Sequence, residues 1–375
     1  MSQKLTVKNQ DIIVQKGKDV EMGAFKSRDL KDVLGVLLYN QAREKNIYYS
    51  IDDNLVLGEG GNAAVPLNIV TPLAGNQNQP IHPKVLFLPN KFGGHYFWMA
   101  YTPYPNANDG LENPCIACSD NLYDWYTPDG LTNPLDSETW YDAEQYNSDT
   151  HLLYRDDLNV LECWFRYCDE LEPSETIYRM TSKDGVHWTE KELMFKNEGT
   201  GTYPYAHILS PCIIWDKEAR LYRIWAIDKN ISFKAIYYDT PDGKNWANRQ
   251  ETNLVGWHFD VIRTELGYES VVSDTQNATT ISYSTSSDGI VWSAKEVILG
   301  LGASGQWDDN RLYRPSLVKE LGKYYLFYTG VHKPDSSHTV WKIGLSVAND
   351  GDITHIRGYV SGTAEMSCPI IEDYF

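Results

Sequence analysis

The chain contains 375 residues, of which 42% are hydrophobic and 22% charged, and its formal net charge is −18. These values are typical of a packed soluble protein and exclude a disordered chain, while the length allows one large domain or two of ordinary size. Because an acidic surface repels polyphosphates and anionic lipids, the sequence predicts no nucleic-acid partner and no insertion into a membrane.

The first 80 residues differ from the rest of the chain. They begin without the apolar run of a signal peptide, so the chain is expected to be made in a host cytoplasm. Ser27 can cap a helix over residues 27–45. The apolar positions that follow the helical period there are Leu30, Val33, Leu34, Leu37 and Leu38. We therefore predict that residues 1–80 form a small α+β segment for attachment and oligomerisation.

A turn motif recurs through the remainder of the chain. Its copies are Ser119–Trp125, Ser182–Trp188, Thr240–Trp246 and Ser286–Trp292, with a degenerate fifth copy over Ser346–Asp352 that lacks the tryptophan. The tryptophans are 63, 58 and 46 positions apart, a period typical of propellers and repeat arrays. Asp-Gly supplies the positive φ angles of a tight hairpin, and the tryptophan after it can bury a large ring.

Two strands are predicted before each turn. The aromatic second strands are Tyr96–Tyr101, Leu161–Arg166, Leu221–Ala226, Tyr268–Ser273 and Tyr324–Thr329. The apolar first strands enter at His82, Asp149, Ser210, His258 and Arg314. Five units of about four strands close into a ring that leaves no exposed edges. The predicted fold is therefore an all-β, five-bladed β-propeller over residues 81–375, with a C-terminal tail from about residue 354.

The cysteines indicate core packing and not metal binding. Cys115 and Cys118 form a Cys-x-x-Cys pair inside an apparent strand, where positions three apart face opposite ways. No second pair follows, as a zinc site would require. The six cysteines are therefore predicted to be buried free thiols.

The five units resemble the propellers of the arabinanase, β-xylosidase and invertase glycosidase superfamily. The turn is similar to the sialidase Asp-box but one residue shorter. The residues His82-Pro, Tyr96–Pro105, Glu112–Pro114 and Tyr313–Pro315 also resemble propeller domains of receptor-binding and minor structural tail proteins from phages that infect Gram-positive bacteria.

The glycosidase resemblance implies catalytic acids at the first-strand entries of the early blades. Two or three carboxylates must converge on one bond, with one of them protonated. Here the first three entries are His82, Asp149 and Ser210, so only one acid is present. A hydroxyl of ordinary pKa cannot protonate a leaving group. The resemblance thus implies the fold and a carbohydrate ligand, but it argues against a hydrolase.

The residues at the mouth of the predicted channel form a candidate carbohydrate site. The five entries should surround it, and Asp260 shares a face with His258 by strand alternation. Loop aromatics near the funnel could stack on a sugar. The predicted ligand-binding residues are His82, Glu112, Asp149, Tyr205, His207, His258, Asp260, Trp307 and Arg314. The alternative is that Asp149 and Arg314 form a purely structural salt bridge.

The function predicted from these features is a non-catalytic, carbohydrate-binding protein of a phage tail or baseplate. Its partners would be a cell-wall glycan or teichoic-acid-like polymer and other tail proteins, and a homotrimer in the virion is expected because multivalency strengthens weak binding. Two alternatives stay open: a glycoside hydrolase that uses Asp149 with Glu112 or Asp260, and a structural virion protein without a ligand. No cofactor is predicted; Asp308–Asn310 is a weak signal for Ca²⁺, since three ligands in a row fall short of the six to eight that this ion takes.

Overall fold

The computed structural model describes two N-terminal strands and most of the chain after residue 63. The described residues are 2–7, 10–15, 64, 66–73, 75–120, 122, 124–136, 145–169, 174–198, 208–320, 322–349, 353 and 357–358. The helix predicted over residues 27–45 lies outside them. Within them, helices are restricted to short 3₁₀ turns, and none has the length and apolar character needed to cross a membrane.

The N-terminal strands form a hairpin, and the blades follow. Strands β1 (Ser2–Val7) and β2 (Gln10–Gln15) pair antiparallel. The first blade contains β3 (Asn68–Ile69), β4 (Pro80–Phe92), β5 (His95–Pro103), β6 (Cys115–Ser119) and β7 (Asp124–Trp125). The second contains β8 (Gln145–Arg155), β9 (Val160–Asp169), β10 (Ser174–Ser182) and β11 (Glu192–Glu198).

Three further blades complete the set. The third contains β12 (Ile208–Asp216), β13 (Leu221–Asp228), β14 (Lys234–Thr240) and β15 (Ala247–Val255). The fourth contains β16 (His258–Thr264), β17 (Gly267–Ser273), β18 (Thr280–Ser286) and β19 (Glu296–Gly300). The fifth contains β20 (Arg311–Glu320), β21 (Lys323–His332), β22 (Val340–Asn349) and β23 (Arg357–Gly358). Neighbouring strands within each of these sheets run antiparallel.

The innermost strands β4, β8, β12, β16 and β20 stand side by side around a central channel, and β20 contacts β4 to close the ring. The predicted five-bladed propeller is confirmed. The residues before β4 also link the first and fifth blades. Leu67 donates its backbone N–H to Ile343 O of the fifth blade at 2.8 Å. Next to it, β3 pairs in parallel with β7 of the first blade.

The repeated turn locks each blade to the preceding one. In the second blade, Ser182 Oγ accepts the N–H of Gly185 at 2.8 Å, and Trp188 Nε1 donates to Gly185 O at 3.1 Å. Asp184 Oδ1 accepts the backbone N–H groups of Val186 and His187, both at 2.8 Å. The turn glycines Gly185, Gly243 and Gly289 have φ angles of 83°, 83° and 78°. A Cβ on them would lie 2.0, 2.8 and 2.7 Å from the rings of Trp98, Trp164 and Trp225. Glycine is therefore required both by backbone angle and by close approach.

The core contains five large hydrophobic layers, one between each pair of adjacent blades, and a small sixth cluster of Ile81, Val331 and Trp341 between the first and fifth blades. Trp98 and Trp164 are completely buried in these layers, as their second-strand positions predict. Cys115 and Cys118 lie in different layers, which confirms that they face opposite sides of β6. The described cysteines are buried free thiols, whereas Cys368 lies outside the described residues.

Candidate functional site

The five first-strand entries meet at one level of the channel. We call His82, Asp149, Ser210, His258 and Arg314 the first tier; all are at most 2% exposed. His82, Asp149 and Ser210 have φ angles of 56°, 53° and 50°, and each lies at a register shift between the first and second strands of its blade. Non-glycine residues rarely adopt this left-handed conformation, and such strain is concentrated at functional sites.

Asp149 is the charged centre of the first tier. Its Oδ2 accepts from Arg166 Nε at 2.9 Å and from the Ser210 backbone N–H at 3.2 Å, while Arg314 Nη1 donates to Oδ1 at 3.3 Å. Burial would raise the pKa of Asp149, but the positive charges of Arg166 and Arg314 outweigh it and bring the pKa well below its usual range. Asp149 is therefore an ionised carboxylate at neutral pH. The ion pair with Arg314 that the structural alternative requires is present.

A carboxylate contacts His82 at its Nδ1 atom. Its Nδ1 lies 3.0 Å from Glu112 Oε2. The same Glu112 oxygen accepts from Thr102 Oγ1 at 3.0 Å and Ser148 Oγ at 2.8 Å. A proton on His82 Nδ1 would be donated to Glu112, which leaves the Nε2 lone pair directed toward Asp149 Oδ1, 3.6 Å away. Glu112 is thus part of the site, and it fixes a histidine.

His258 completes the set from the opposite side of the channel. Its Nδ1 lies 3.5 Å from Asp149 Oδ1 and contacts the Ser210 hydroxyl. The Tyr313 ring packs edge-on against His258, with centroids 4.2 Å apart. Burial lowers the pKa of His258 well below its usual range, even though the Asp149 charge raises it. The imidazole is therefore neutral near pH 7 and can offer a lone pair.

These groups have the composition of a metal-binding site. One ligand atom each from His82, Asp149 and His258 can be chosen so that all three lie within 4.8 Å of one another. Two ligands about 2.1 Å from a tetrahedral ion would be about 3.4 Å apart, close to the observed 3.5 and 3.6 Å. Among the described residues, Nε2 of His82 and Nε2 of His258 are buried without a hydrogen-bond partner. Nε2 of His82 is therefore both close to Asp149 and without a partner, whereas the His258 nitrogen close to Asp149 is Nδ1, which also contacts the Ser210 hydroxyl. The residue types of this set fit a divalent cation.

A second polar tier lies two residues further along each first strand. We call Lys84, His151, Cys212, Asp260 and Ser316 the second tier. Lys84 Nζ donates to both oxygens of Asp260, at 2.7 and 2.8 Å. The Leu317 backbone N–H donates to Asp260 Oδ2 at 2.9 Å. Asp260, predicted to bind ligand, is instead enclosed in an ion pair, because strand alternation places it one level deeper than the first tier.

The loop residues of the predicted site do not join the cluster. Tyr205 and His207 lie outside the described residues. Trp307 is packed against Gly330 and Gly344 in the layer around the fifth blade, and its Nε1 donates to Ala64 O. Its ring is therefore enclosed by protein instead of facing a sugar.

The carboxylates of Asp308 and Asp309, the weak candidates for Ca²⁺ binding, bind different partners. Asp308 Oδ2 accepts from Tyr328 OH at 2.8 Å. Asp309 instead accepts from Gly305 N at 2.7 Å and contacts His332 Nδ1 at 2.8 Å. The two carboxylates therefore serve separate local contacts.

Sequence reasoning missed several residues of the site. Arg166 and Thr102 come from second strands and Ser148 directly precedes an entry, and none of the three was among the predicted ligand-binding residues. An arginine within the aromatic strand Leu161–Arg166 was the available signal, since a charge there needs a buried partner. Tyr313 directly precedes the first-tier Arg314 and was quoted only for a resemblance.

No family model matches the chain. The A type blood N-acetyl-alpha-D-galactosamine deacetylase of Flavonifractor plautii is 24% identical over 301 residues, covering 65% of this chain and 38% of that protein. The chain thus spans well under half the length of this curated relative. The crystal structure of an N-acetylgalactosamine deacetylase from F. plautii in complex with blood group B trisaccharide has a TM-score of 0.69 at 18% identity, covering 78% of this chain and 96% of that one. An exo-beta-1,3-galactanase from Phanerochaete chrysosporium has a TM-score of 0.53 at 13% identity, covering 82% and 70%.

These comparisons confirm the likeness to carbohydrate-active propellers at the level of the fold and correct the functional prediction. The non-catalytic phage-tail receptor-binding protein is wrong, because the sequence relative and the structural neighbours are enzymes. They give no support to a phage tail, a virion or a trimer. The prediction failed because it counted only carboxylates at the entries. It did not consider that two imidazoles and one carboxylate can together bind a metal ion.

Proposed function

We propose that the chain is a carbohydrate-active hydrolase that removes the acetyl group from an N-acetylated amino sugar of a glycan. The observation that carries this proposal is the buried, converging set of His82, Asp149 and His258, in which Asp149 is ionised and Nε2 of His82 lacks a partner. Two histidines and one carboxylate suit a catalytic divalent cation with an open coordination position. Hydrolysis of the amide adds water to the carbonyl carbon, breaks the C–N bond and yields acetate and a free amino sugar.

The first tier supplies the ligands and their charge balance. A divalent cation bound there would polarise the amide carbonyl and activate water. Arg166 and Arg314 keep Asp149 ionised, so the ligand carboxylate is available across the neutral pH range. The low pKa of His258 keeps its ring unprotonated over the same range. The strained backbone at His82 and Asp149 directs both side chains toward one point.

Glu112 and Tyr313 have supporting roles in this proposal. Glu112 holds the Nδ1 proton of His82 and so fixes the ring orientation, as carboxylates commonly do for metal-bound histidines. The Tyr313 hydroxyl accepts from Trp257 Nε1 at 3.3 Å, which leaves its own proton to donate. Burial raises the pKa of Tyr313, so the hydroxyl stays protonated. It is the candidate donor to the oxygen that gains negative charge when water adds to the amide.

The relatives support the reaction class. The sequence relative and one structural neighbour are both named as N-acetylgalactosamine deacetylases. N-acetylgalactosamine at the end of a glycan is therefore the first substrate to test. The experiment is incubation of the full chain with an N-acetylgalactosamine glycoside labelled with ¹³C in the acetyl group, with Zn²⁺ or Mn²⁺ added. Release of labelled acetate, abolished by chelation and in His82→Ala, is expected. Intact glycoside under all of these conditions would refute the proposal.

Glycoside hydrolysis is the second candidate, because Glu112 and Asp149 both contact His82 in the site. Its weakness is the proton donor. Asp149 is held ionised, and Asp260 is bound through both oxygens to Lys84. Glu112 would have to act as the acid. New reducing ends without acetate release, lost in Glu112→Gln, would favour this reaction over deacetylation.

A further inference from the structure

An aromatic wall extends outward from the first tier. Phe233, Trp257 and Tyr313 are all partly exposed. Phe233 packs on Trp257 with ring centroids 5.4 Å apart, and Trp257 Nε1 donates to Tyr313 OH at 3.3 Å. Tyr313 in turn packs on the first-tier His258. The three rings therefore form a continuous surface that begins at the candidate metal ligands and ends at solvent.

The chain places this wall through its links to the first tier. Trp257 directly precedes His258, so its backbone is fixed by the strand that carries the ligand. Phe233 follows the 3₁₀ turn Lys229–Ile231, and both Ser232 and Phe233 have positive φ angles, 62° and 59°. Phe233 O accepts the N–H of Gly256 at 3.1 Å, which ties this unusual turn to the residue before Trp257.

The wall combines a stacking face with a polar donor. Lys229 Nζ lies 5.5 Å from the centroid of Trp257, so an ammonium group borders the rings. Aromatic faces bind the apolar C–H face of a pyranose ring, and adjacent cationic donors bind its hydroxyls. The proposed reaction itself takes place on one acetamido group at the first tier, so the wall lies where the rest of a glycan would extend.

We propose that Phe233, Trp257 and Tyr313 bind the sugar unit adjacent to the reacting one, so that the enzyme selects oligosaccharides over single sugars. This inference rests on the proposed function for the identity of the reacting unit, but the binding it predicts can be measured without catalysis. In this arrangement the reacting, non-reducing terminal sugar lies at the first tier, and its neighbour lies against the wall.

The test compares binding of two unreactive probes, blood group B trisaccharide and methyl α-D-galactoside, by calorimetry or NMR titration. The unmodified protein should bind the trisaccharide more tightly. Phe233→Ala and Phe233→Leu should weaken trisaccharide binding about 3-fold to 10-fold and leave the monosaccharide unchanged, since the stacking contact is lost in both. The leucine variant keeps an apolar contact with Trp257, which controls for folding.

A matched control exists on the outer strands. Phe195 and Trp246 form a stacked pair with centroids 4.2 Å apart, also partly exposed, between the second and third blades. Phe195→Ala should change neither probe. If the unmodified protein does not prefer the trisaccharide, or if Phe233→Ala weakens binding of both probes equally, the wall does not bind the adjacent sugar. A wall that binds as expected in a protein that releases no acetate would refute the proposed function alone.

Discussion

The two tiers of the channel have similar composition but differ in how far their polar groups are satisfied. Each contains a set of three buried groups whose atoms lie close enough to hold a metal: His82, Asp149 and His258 above, and His151, Cys212 and Asp260 below. The upper set has two ring nitrogens without partners and left-handed backbone at two of its members, whereas the lower set has one such ring nitrogen, Nδ1 of His151. The lower set is occupied by a lysine ammonium.

The difference follows from which group fills the centre. In the second tier, Lys84 occupies the position beside Asp260 where a cation would bind, and the Cys212 thiol also donates to Asp260 at 3.4 Å. In the first tier, Arg166 binds Asp149 Oδ2, whereas Oδ1 accepts from Arg314 and also lies 3.6 Å from His82 Nε2 and 3.5 Å from His258 Nδ1. Under the proposed function, positions two residues apart on the same strands serve chemistry in the first tier and blade closure in the second.

The largest difference is expected when a histidine is removed from each tier. His82→Ala should lower acetate release by at least about 10³-fold, since a ligand and the geometry of the cation are lost. His151→Ala removes a histidine of the closed tier and should retain activity within a few-fold in the folded protein. Steady-state rates with matched metal content check both variants. Similar losses in the two would remove the distinction between the tiers.

The closed tier should matter most for stability. Asp260→Asn leaves the Lys84 ammonium buried beside a neutral amide, and breaking such a pair costs about 3–5 kcal/mol. Urea unfolding should show this loss, while Zn²⁺ affinity measured by calorimetry on the folded variant stays unchanged. A fall in metal affinity as large as that of His82→Ala would contradict the structural role of the second tier.

A third aspartate, Asp216 at the end of β12, lies outside both tiers and provides a further comparison. Asp216 accepts from Arg223 Nε and pairs with Arg263 Nη1, both at 2.7 Å. Burial opposes its ionisation, but the Ala219 N–H and the two arginines lower the pKa from 3.8 to about 2. Its contribution is therefore present above pH 3.8 and is lost as the pH falls toward 2.

Asp216→Asn should consequently destabilise the protein by about 2 kcal/mol at pH 6 and by almost nothing near pH 2. Urea unfolding at the two pH values measures this difference. Metal affinity and activity at pH 7 should not change. The same loss at both pH values would show that Asp216 contributes through packing and not through its charge.

The smallest effect is expected on metal affinity when Glu112, which contacts the candidate ligand His82, is replaced. Glu112→Gln keeps an acceptor for His82 Nδ1 but removes the negative charge, so metal affinity should fall about 10-fold, the lower end for such supporting residues. Calorimetry with Zn²⁺ measures it, and Glu162→Gln is the matched control in a buried network with Tyr222 and Trp164. Unchanged affinity in Glu112→Gln would remove its role in orienting His82.

The fold was predictable because the same turn and strand signals recur along the sequence. The aromatic second strands and the polar entries recur once per blade, and the Asp-Gly turn recurs in four of the five units. The convergence of His82, Asp149, His258 and Arg314 followed from the ring closure. The depth of Asp260 was also implied by strand alternation, since it lies two residues beyond an entry, but this was interpreted as a shared face.

Other parts of the site could not be derived from the sequence. Arg166 reaches Asp149 from a second strand, and the left-handed backbone at Asp149 and Ser210 has no signature in residue type. The chemistry was misjudged for a related reason. Whether a histidine at an entry is a satisfied donor or an open ligand depends on its partners in three dimensions, and only the structure shows the partnerless ring nitrogens of His82 and His258.

The most direct test of the open first tier is anomalous diffraction from crystals grown with Zn²⁺ or Mn²⁺. The account predicts one strong peak about 2.0–2.2 Å from a ring nitrogen of His82, a ring nitrogen of His258 and an Asp149 oxygen. No peak is expected among His151, Cys212 and Asp260. A peak in the second tier, or a first tier without metal at millimolar concentration, would contradict the account.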